Sequence, residues 1–435
     1  MSKELNLFWF RRDLRLDDNK GLLEALKSDY PVLPIFIFDS QILSELPKQD
    51  PRVTFIYERL QTMRSVLQDE YGSSIAIFYG EPVTIFKQIV KEYDVKQVFT
   101  NRDYELYAIS RDKKIAELLQ DHKIEFITHK DQVIFEKEEI VKDNGEPYLV
   151  YTPYMKKWRS AFKEAMAEPF YTSSFTSNYY KNSRLPNLSL SDIGFEKSSI
   201  SFPEYDVTPT TLNEYSENRD LPAKRATSNL SPHLRFGSVG LRKIIKKALQ
   251  AKDDFFLKEL IWREFFMQIL YHFPETATNA FKKKYDNIAW RNNEEEFKKW
   301  KEGKTGYPIV DAGMRQLNQT GLMHNRVRMV VGSFLCKHLL IDWRWGEAYF
   351  AEKLLDYEMA SNVGNWQWVA GCGVDAAPYF RIFNPHSQLE KFDKDKNYIK
   401  KWIPELETES YISPIVEHKE ARERCLKVYK AAVQK

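Results

Sequence analysis

The sequence lacks features on which several classes of protein depend. Its three cysteines, Cys336, Cys372 and Cys425, lie far apart without a CxxC pair, which argues against a disulfide framework or zinc site and favours a reducing compartment. The histidines show no HExxH pattern, so no catalytic metal is expected. No apolar run is long enough to span a membrane, and the first apolar stretch precedes its arginines, the wrong order for a signal peptide. We therefore expect a soluble, cytoplasmic protein.

Charge is unevenly distributed along the 435 residues, a length that predicts two or three domains. Residues 1–150 carry 21 Lys and Arg against 27 Asp and Glu, whereas residues 151–435 carry 44 against 35. If the protein binds an anionic polymer, its C-terminal part should hold it. Solvated helix faces would give the same asymmetry, so charge alone leaves both interpretations open.

Short β-rich apolar runs alternate with helical spacing through the first part of the chain. The runs are residues 5–10, 31–38, 74–79, 96–100 and 123–127. They predict an α/β domain over residues 1–130, with a Rossmann-like, doubly wound parallel sheet of five strands. The arginines of FRRDLRLDDN follow the first strand, where such sheets bind ligands. They either hold an anionic ligand or form salt bridges with Asp13, Asp17 and Asp18, and we favour the structural role.

The remaining chain predicts a connector followed by helices. Residues 171–203 are rich in Ser, Asn and Tyr and poor in aliphatic residues, so we interpret 131–209 as an interdomain connector lying over the surface. Helical spacing then dominates, for example in a helix that Pro274 ends. Residues 210–435 are therefore expected to form an all-α domain.

Residues 356–385, DYEMASNVGNWQWVAGCGVDAAPYFRIFNP, have the composition of a ligand-binding wall. They combine Trp366, Trp368 and Tyr379 with three glycines and with the acids Asp356 and Glu358. Ordinary core would contain more Leu and Val, and a solvated loop would not retain two tryptophans. The mixture suits a flat aromatic ligand with polar edges, although a well-packed core segment remains an alternative.

Three further segments contain candidate binding groups. Thr227, Ser228, Asn229 and Ser231 in RATSNLSPHLRFGSVG precede a helix, where hydroxyls and free N–H groups make a diphosphate site or simply a capped helix. ELIWREFF places Glu259, Trp262 and Arg263 within about one helical turn, which is also the spacing of a solvated ion pair beside a core tryptophan. MHNRVRM places basic residues and an amide near a pocket mouth or on a solvated helix face.

Together, these segments closely resemble the DNA photolyase and cryptochrome family, nearest to its class I-type cyclobutane pyrimidine dimer photolyases. NWQW followed by DAAPYFRIFNP resembles the family's flavin pocket. The resemblance implies an all-α FAD-binding and DNA-binding domain, with FAD active in its reduced, anionic form. The implied cofactor-binding residues are Tyr215, Thr227, Ser228, Asn229, Leu230, Ser231, Phe256, Glu259, Arg263, Arg328, Asp356, Glu358 and Asn362. In the family, the residues matching Arg328 and Asp356 form a pair beside the flavin ring, and the one matching Asn362 faces flavin N5.

The resemblance also implies the substrate and the reaction. Family members bind UV-damaged DNA, transfer an electron from light-excited reduced flavin to a flipped-out pyrimidine dimer and recover it after the dimer splits. The implied DNA-binding residues are Arg219, Glu259, Trp262, Asn325, Arg326, Met329, Trp368, Arg381 and Gln388. Glu259, Asn325 and Asn362 match residues that act on dimer or flavin, and Trp366, Trp343 and Trp290 match an electron relay to the surface.

Individual residues favour one branch of the family. Asn362 matches photolyases, whereas plant-type cryptochromes usually have Asp there and animal ones Cys. Asn325 and Met329 stand where (6-4) photolyases use histidines, so a cyclobutane dimer is the expected substrate, with a (6-4) photolyase or a light-signalling cryptochrome as alternatives. A second, antenna chromophore of folate or deazaflavin type is possible in the first domain, but Tyr107-Ala108 does not match one folate-binding subgroup's Asn-Glu pair. No obligate protein partner is expected.

Overall fold

The computed structural model of the chain describes residues 4–434. These residues form two compact units. The first contains the chain up to Glu139 together with Arg159–Val207 and Asn229–Gln250, and the second contains Ile140–Trp158, Thr208–Ser228 and the chain from Ala251 onward. The domain limits expected at residues 130 and 209 stay a prediction.

The first unit is built on a parallel five-stranded sheet, which confirms the expected α/β fold. The strands are β1 (Glu4–Phe10), β2 (Val32–Asp39), β3 (Ala76–Gly80), β4 (Asp94–Asn101) and β5 (Glu125–His129). Their order is β3-β2-β1-β4-β5, and central Leu7 pairs with Leu33 on one side and with Val98 on the other. Helices cover both faces of a parallel sheet, and this is why β1 and β2 appear in the sequence as continuous apolar runs.

Helices make up about half of the remaining described chain. In order, they are α1 (Lys20–Leu26), α2 (Ser40–Leu43), α3 (Pro51–Tyr71), α4 (Pro82–Glu92), α5 (Leu106–Asp121), α6 (Tyr151–Ala161), α7 (Pro209–Asn213), α8 (Tyr215–Asn218), α9 (Ser231–Phe236), α10 (Leu241–Leu249), α11 (Phe255–His272), α12 (Glu294–Lys301), α13 (Pro308–Thr320), α14 (Asn325–Ser333), α15 (Trp343–Lys353), α16 (Met359–Ala370), α17 (Pro385–Phe392), α18 (Asn397–Trp402) and α19 (His418–Val433). Within residues 4–434, no helix has the length and apolar character needed to cross a membrane.

The arginines that follow β1 form salt bridges, as favoured from the sequence, but the expected partners were wrong. Arg11 pairs with Asp112 at 2.6 Å, and Arg12 pairs with Asp103 at 3.1 Å and with Glu105 at 2.9 Å. The carboxyl ends of parallel strands meet at one edge of the sheet, so residues after β4 lie next to residues after β1. Acids distant in sequence therefore replace the neighbouring aspartates as partners.

Two glycines allow helices of the second unit to pack closely around α16. A Cβ atom at Gly346 of α15 would lie 2.2 Å from the Trp366 indole, and one at Gly364 of α16 would lie 2.3 Å from the Phe266 ring of α11. Both distances are far inside van der Waals contact, so any larger residue would push the helices apart. α11, α15 and α16 are thereby held together, and they carry much of the candidate site.

Candidate functional site

Asn362 on α16 has a side-chain orientation that a neighbouring residue fixes. Its Nδ2 donates to the backbone oxygen of Glu347 at 3.1 Å and to Glu347 Oε1 at 2.9 Å. Both amide protons are thus used by acceptors, and the reversed amide would place its oxygen against those acceptors. The described residues provide no donor to Asn362 Oδ1, which leaves this oxygen as an acceptor for a ligand.

Glu347 was not identified from the sequence. It lies on α15, fifteen residues before Asn362, and no motif distinguishes it from other acids on a helix. Burial raises the pKa of its carboxyl group, while the hydrogen bond from Asn362 acts in the opposite direction. Only the packing of α15 on α16 shows that it orients the amide.

A charged pair lies on elements adjoining the same helix. Arg328 Nη2 donates to Asp356 Oδ2 at 2.9 Å and to Oδ1 at 3.2 Å, and Arg328 Nε donates to the backbone oxygen of Met323 at 2.7 Å. The Asp356 side chain is 5% exposed and that of Arg328 is 28% exposed. The structure therefore brings together the two residues that the resemblance matches to a flavin-side pair, with the cation more accessible than the acid.

Glu358 has a local structural role in addition to the one implied by the resemblance. It is the N-cap of α16, and its Oε2 accepts from the backbone N–H of Ser361 at 3.0 Å and from the Ser361 hydroxyl at 2.9 Å. An acid at this position satisfies an otherwise unpaired backbone donor and interacts favourably with the helix dipole. Glu358 thus fixes the start of the helix that carries Asn362 and Trp366.

Glu259 on α11 is paired with Arg219, which follows α8. Arg219 Nη1 donates to Glu259 Oε1, and the Arg219 guanidinium lies 5.3 Å from the centre of the Tyr215 ring. The ring edge of Tyr215 packs on Phe256 at 5.2 Å, and burial raises the pKa of Tyr215. These four predicted residues form one contiguous group, and the 34% exposure of Glu259 leaves its carboxylate accessible.

Trp262 presents a flat wall that another aromatic ring supports from behind. It stacks on Tyr151 with ring centres 3.7 Å apart and planes 8° apart. Tyr151 is itself fixed, because its hydroxyl donates to the backbone oxygen of Lys258 at 2.8 Å. Tyr151 lies in the segment that was expected to be a connector, so this role was not predicted from the sequence. Arg263 follows Trp262 on the same helix and is half-buried.

The N-terminus of α14 carries two predicted DNA-binding residues and a histidine that sequence analysis did not select. His324 is the N-cap, and its Nδ1 accepts from the backbone N–H of Arg326 at 3.2 Å. Burial lowers the pKa of His324 to about 4, so its ring is neutral at pH 7. Asn325 is exposed, and Arg326 pairs with Asp220 at 2.9 Å while lying 4.3 Å from the Phe392 ring. Met329 is half-buried on the same helix.

Two further predicted DNA-binding residues, Arg381 and Gln388, have polar groups that a ligand could bind. Arg381 is exposed and lies 5.9 Å from the Trp368 ring and 5.4 Å from the Phe383 ring. Gln388 Oε1 is buried without a donor among residues 4–434. An acceptor left in this state is costly unless a ligand or water supplies a proton.

The predicted diphosphate segment is divided between the two units. Thr227 and Ser228 belong to the second unit, where Ser228 is buried, and Asn229, Leu230 and Ser231 belong to the first. Asn229 has a φ of 49°, in the left-handed region, and Ser231 starts the six-residue helix α9. Their role in holding a diphosphate stays a prediction.

The predicted relay tryptophans occupy different surroundings in the second unit. The buried Trp366 contacts Trp300 at 6.2 Å and Phe350 at 5.0 Å between ring centres. Trp343 is buried at the start of α15, and Trp290 is partly buried against Tyr429 at 5.9 Å. Within the described chain, no ring contact joins Trp366 directly to Trp343 or Trp290. Sequence analysis did not single out Trp300, whose ring is next to that of Trp366.

The residues of the second unit fit the flavin that the resemblance implies. Asn362 offers a fixed acceptor for a ring N–H, and Arg328 offers a cation for an anionic ring. Trp262 and Glu259 lie on α11 one helical turn or less apart, as needed for a flat substrate with polar edges.

Known proteins that are similar to this chain identify its family. Residues 6–170 match the family described as DNA photolyase, and residues 256–410 match the FAD binding domain of DNA photolyase. The deoxyribodipyrimidine photo-lyase of Agrobacterium fabrum is 37% identical, over 99% of this chain and 98% of the relative.

Two solved structures have the same fold over nearly their whole length. A bacterial class III photolyase from Agrobacterium tumefaciens aligns with a TM-score of 0.89 and 35% identity, covering 100% of this chain and 99% of that one. An archaeal photolyase from Sulfolobus tokodaii, solved with two FAD molecules, aligns with a TM-score of 0.85 and 34% identity, covering 98% and 100%. The chain therefore belongs to the DNA photolyase family and contains that family's FAD-binding domain.

Proposed function

We propose that this protein repairs cyclobutane pyrimidine dimers in DNA, using light absorbed by bound reduced FAD. The observation that carries the proposal is the orientation of Asn362, which Glu347 fixes so that Oδ1 remains available. In a chain with a photolyase FAD-binding domain, this acceptor suits the N–H of a reduced flavin ring. When bound, reduced FAD supplies the photoexcited electron that splits the dimer and accepts it back.

The protein's own residues hold and polarise the cofactor site. Arg328 supplies a positive charge, and its salt bridge with Asp356 orients the guanidinium. Because Arg328 is more exposed than Asp356, the guanidinium remains accessible to a ligand. This arrangement stabilises an anionic ring without leaving an isolated buried charge. Tyr215 and Phe256 add apolar surface, and Arg263 a second cation.

The proposed lesion site combines the aromatic ring of Trp262 with the carboxylate of Glu259. Trp262 stacks on the flipped-out dimer with one face, because Tyr151 already occupies the other. Glu259 accepts from the base edges once it exchanges Arg219 for the dimer. Asn325 and Trp368 complete the site with an exposed amide and a second aromatic side chain.

DNA binding rests on cations that can change partners. Arg219 and Arg326 are bonded to carboxylates but remain 21% and 17% exposed, and Arg381 is exposed. Partly exposed ion pairs contribute less to stability than buried ones, so we expect that replacing a carboxylate by a DNA phosphate costs little. Such phosphate contacts give affinity and position the duplex.

Two alternatives from the same family predict different behaviour. A cryptochrome would bind FAD and signal without repairing DNA, and a (6-4) photolyase would act on the other main UV product. Asn362, together with Asn325 and Met329, favours cyclobutane repair over both.

Repair can be followed directly by absorbance near the thymine band. The protein, with its flavin reduced, is mixed with an oligothymidine that contains cyclobutane dimers, and absorbance is recorded in blue light and in the dark. Recovery in light alone is expected. No recovery with FAD bound, in parallel with repair of a (6-4) oligonucleotide, would replace the proposed substrate, and no recovery on either substrate would favour a photoreceptor.

The remaining parts of the proposal concern location and additional cofactors. The three cysteines are buried free thiols, which suits a cytoplasmic protein. The proposed reaction needs UV-damaged DNA and no protein partner. A second chromophore in the first unit remains part of the proposal, with its chemical type left open between folate, deazaflavin and flavin.

A further inference from the structure

The first unit contains an open pocket that none of the flavin or DNA roles uses. It has a volume of about 310 Å³ and lies between one face of α3 and the start of α10. We call it the α3 pocket and define it by Arg59, Met63, Val66, Tyr205, Asp17 and Lys243. On α3, the first three of these residues have the i, i+4, i+7 spacing of one helix face.

Arg59 is the residue of this pocket that could bind an anionic ligand. Its Nε donates to the backbone oxygen of Leu14 at 2.8 Å, but no carboxylate among residues 4–434 accepts from its guanidinium. Burial lowers the pKa of Arg59, and the neighbouring Arg15 lowers it further. A half-buried cation with another cation beside it is destabilising until an anion arrives.

The other cations near the pocket are already neutralised. Arg15 donates to the backbone oxygens of Asp18 and Gly237 and to Asp131, so its guanidinium is fully engaged. Lys243 pairs with Asp17, and these side chains are 41% and 45% exposed. The unbalanced positive charge of the α3 pocket therefore resides on Arg59.

An aromatic ring lies next to this charge. Tyr205 lines the same pocket as Arg59 and is 38% exposed. Its ring edge packs on His233 at 4.9 Å, which fixes the ring plane, and the described residues give its hydroxyl no hydrogen-bond partner. Met63 and Val66 supply apolar surface on α3. The pocket thus combines a cation, a flat ring and an apolar wall.

The carboxylate at the rim of the α3 pocket and the pocket volume indicate which class of ligand it can bind. Asp17 is accessible at the rim, and a carboxylate is the usual acceptor for ribose hydroxyls. A volume of about 310 Å³ is at the small end of ligand sites. It suits a single nucleotide better than a dinucleotide.

We propose that the α3 pocket binds a nucleoside monophosphate. Arg59 binds the phosphate. Tyr205 packs against the base, and Asp17 accepts from the ribose hydroxyls. This site is separate from the residues assigned to FAD and to DNA, and its occupancy does not depend on repair activity.

The test uses the FAD-saturated protein in the dark, so that the flavin site is filled, with AMP as the probe in equilibrium dialysis. One AMP per chain is expected, and Arg59→Gln should weaken binding at least tenfold. Val66→Trp, which fills the pocket from its apolar wall without altering Arg59, should abolish binding. Lys197→Gln is the matched control, because Lys197 pairs with Glu58 of α3 and is 74% exposed outside the pocket; it should bind AMP normally.

Three results would overturn the proposal. The first is no AMP binding by the unaltered protein. The second is unchanged binding in Arg59→Gln and Val66→Trp, when FAD absorbance and the unfolding midpoint show that both variants are folded. The third is inorganic phosphate binding as tightly as AMP, which would make the pocket a simple anion site. Weak binding of phosphate and of adenosine, each at least tenfold below AMP, supports a nucleotide site.

Discussion

Arginine ion pairs in the two units differ in exposure, and this difference separates structural charges from those that we propose contact ligands. In the first unit, Arg242 donates to Asp18 at 2.6 Å and to Asp131 at 2.5 Å, with all three side chains at most 4% exposed. In the second unit, Arg219 and Arg326 have side-chain exposures of 21% and 17%, and their acid partners are 34% and 38% exposed.

The contrast shows that an ion pair does not by itself define a role. A buried network cannot lose one member without leaving an uncompensated charge, whereas a half-exposed pair separates at little cost. The first unit therefore uses these arginines to hold segments of its own chain together, and the second has arginines that we propose bind phosphate. Arg59 departs from the pattern of its own unit, and the nucleotide proposal rests on that departure.

Breaking the buried network should produce the largest effect. Arg242→Met removes the partner of two buried aspartates, so we expect a loss of about 3–5 kcal/mol in the free energy of unfolding. Lys243→Met, one residue further along the same helix, removes an exposed pair and should cost less than about 1 kcal/mol. Urea unfolding of both variants measures the difference, and equal losses would contradict the comparison.

Removing Trp366, the first tryptophan of the predicted relay, should strongly slow photoreduction. Trp366→Phe keeps an aromatic ring against Gly346 but removes the readily oxidised indole. Light-driven reduction of oxidised FAD should therefore slow by at least about tenfold, which corresponds to an activation barrier about 1.4 kcal/mol higher. Trp9→Phe, a buried tryptophan of the first unit, is the matched control. Transient absorption follows the reaction, and comparison of Trp300→Phe with Trp343→Phe decides which neighbour continues the relay.

The half-exposed pairs should respond to changes in either partner. Arg326→Met should weaken DNA binding and lower the salt slope of log K by about 0.9, as expected for one lost phosphate contact. Asp220→Asn frees Arg326 and should strengthen binding about twofold to fivefold, because the partner exchange no longer breaks an ion pair. Fluorescence anisotropy at several salt concentrations measures both. Weaker binding by Asp220→Asn would mean that the acid positions the arginine for DNA.

A smaller effect, confined to acid, is expected from His324. Its folded pKa of about 4 lies below the ordinary 6.5, so the unfolded chain binds the proton more tightly. The stability that neutral His324 provides is present above pH 6.5 and is lost as the pH falls towards 4. His324→Asn keeps an N-cap acceptor without this titration. The free energy of unfolding, measured with urea from pH 7 to pH 4, should therefore depend less on pH in the variant. Identical pH profiles would show that His324 does not cause this pH dependence.

The sequence predicted the fold better than the details of the site. The five strands were predictable because buried parallel strands are continuous apolar runs, as in β1 and β2. The resemblance led to Asn362, Glu259 and Arg328, because their motifs are local in sequence. Glu347, Tyr151 and Asp220 were not predicted, since each acts on a residue that only folding brings close. The partners of Arg11 and Arg12 were wrong for the same reason.

The most direct test compares the two units in a single repair measurement. Dimer repair per absorbed photon is recorded under blue light for Glu259→Ala and for Arg59→Gln, each with FAD reduced and with saturating DNA. We expect about tenfold less repair for Glu259→Ala, since a hydrogen bond that the charged carboxylate accepts from the dimer is lost, with FAD content unchanged. Arg59→Gln should repair normally. Normal repair by Glu259→Ala would contradict the account that accessible charges of the second unit act on the lesion.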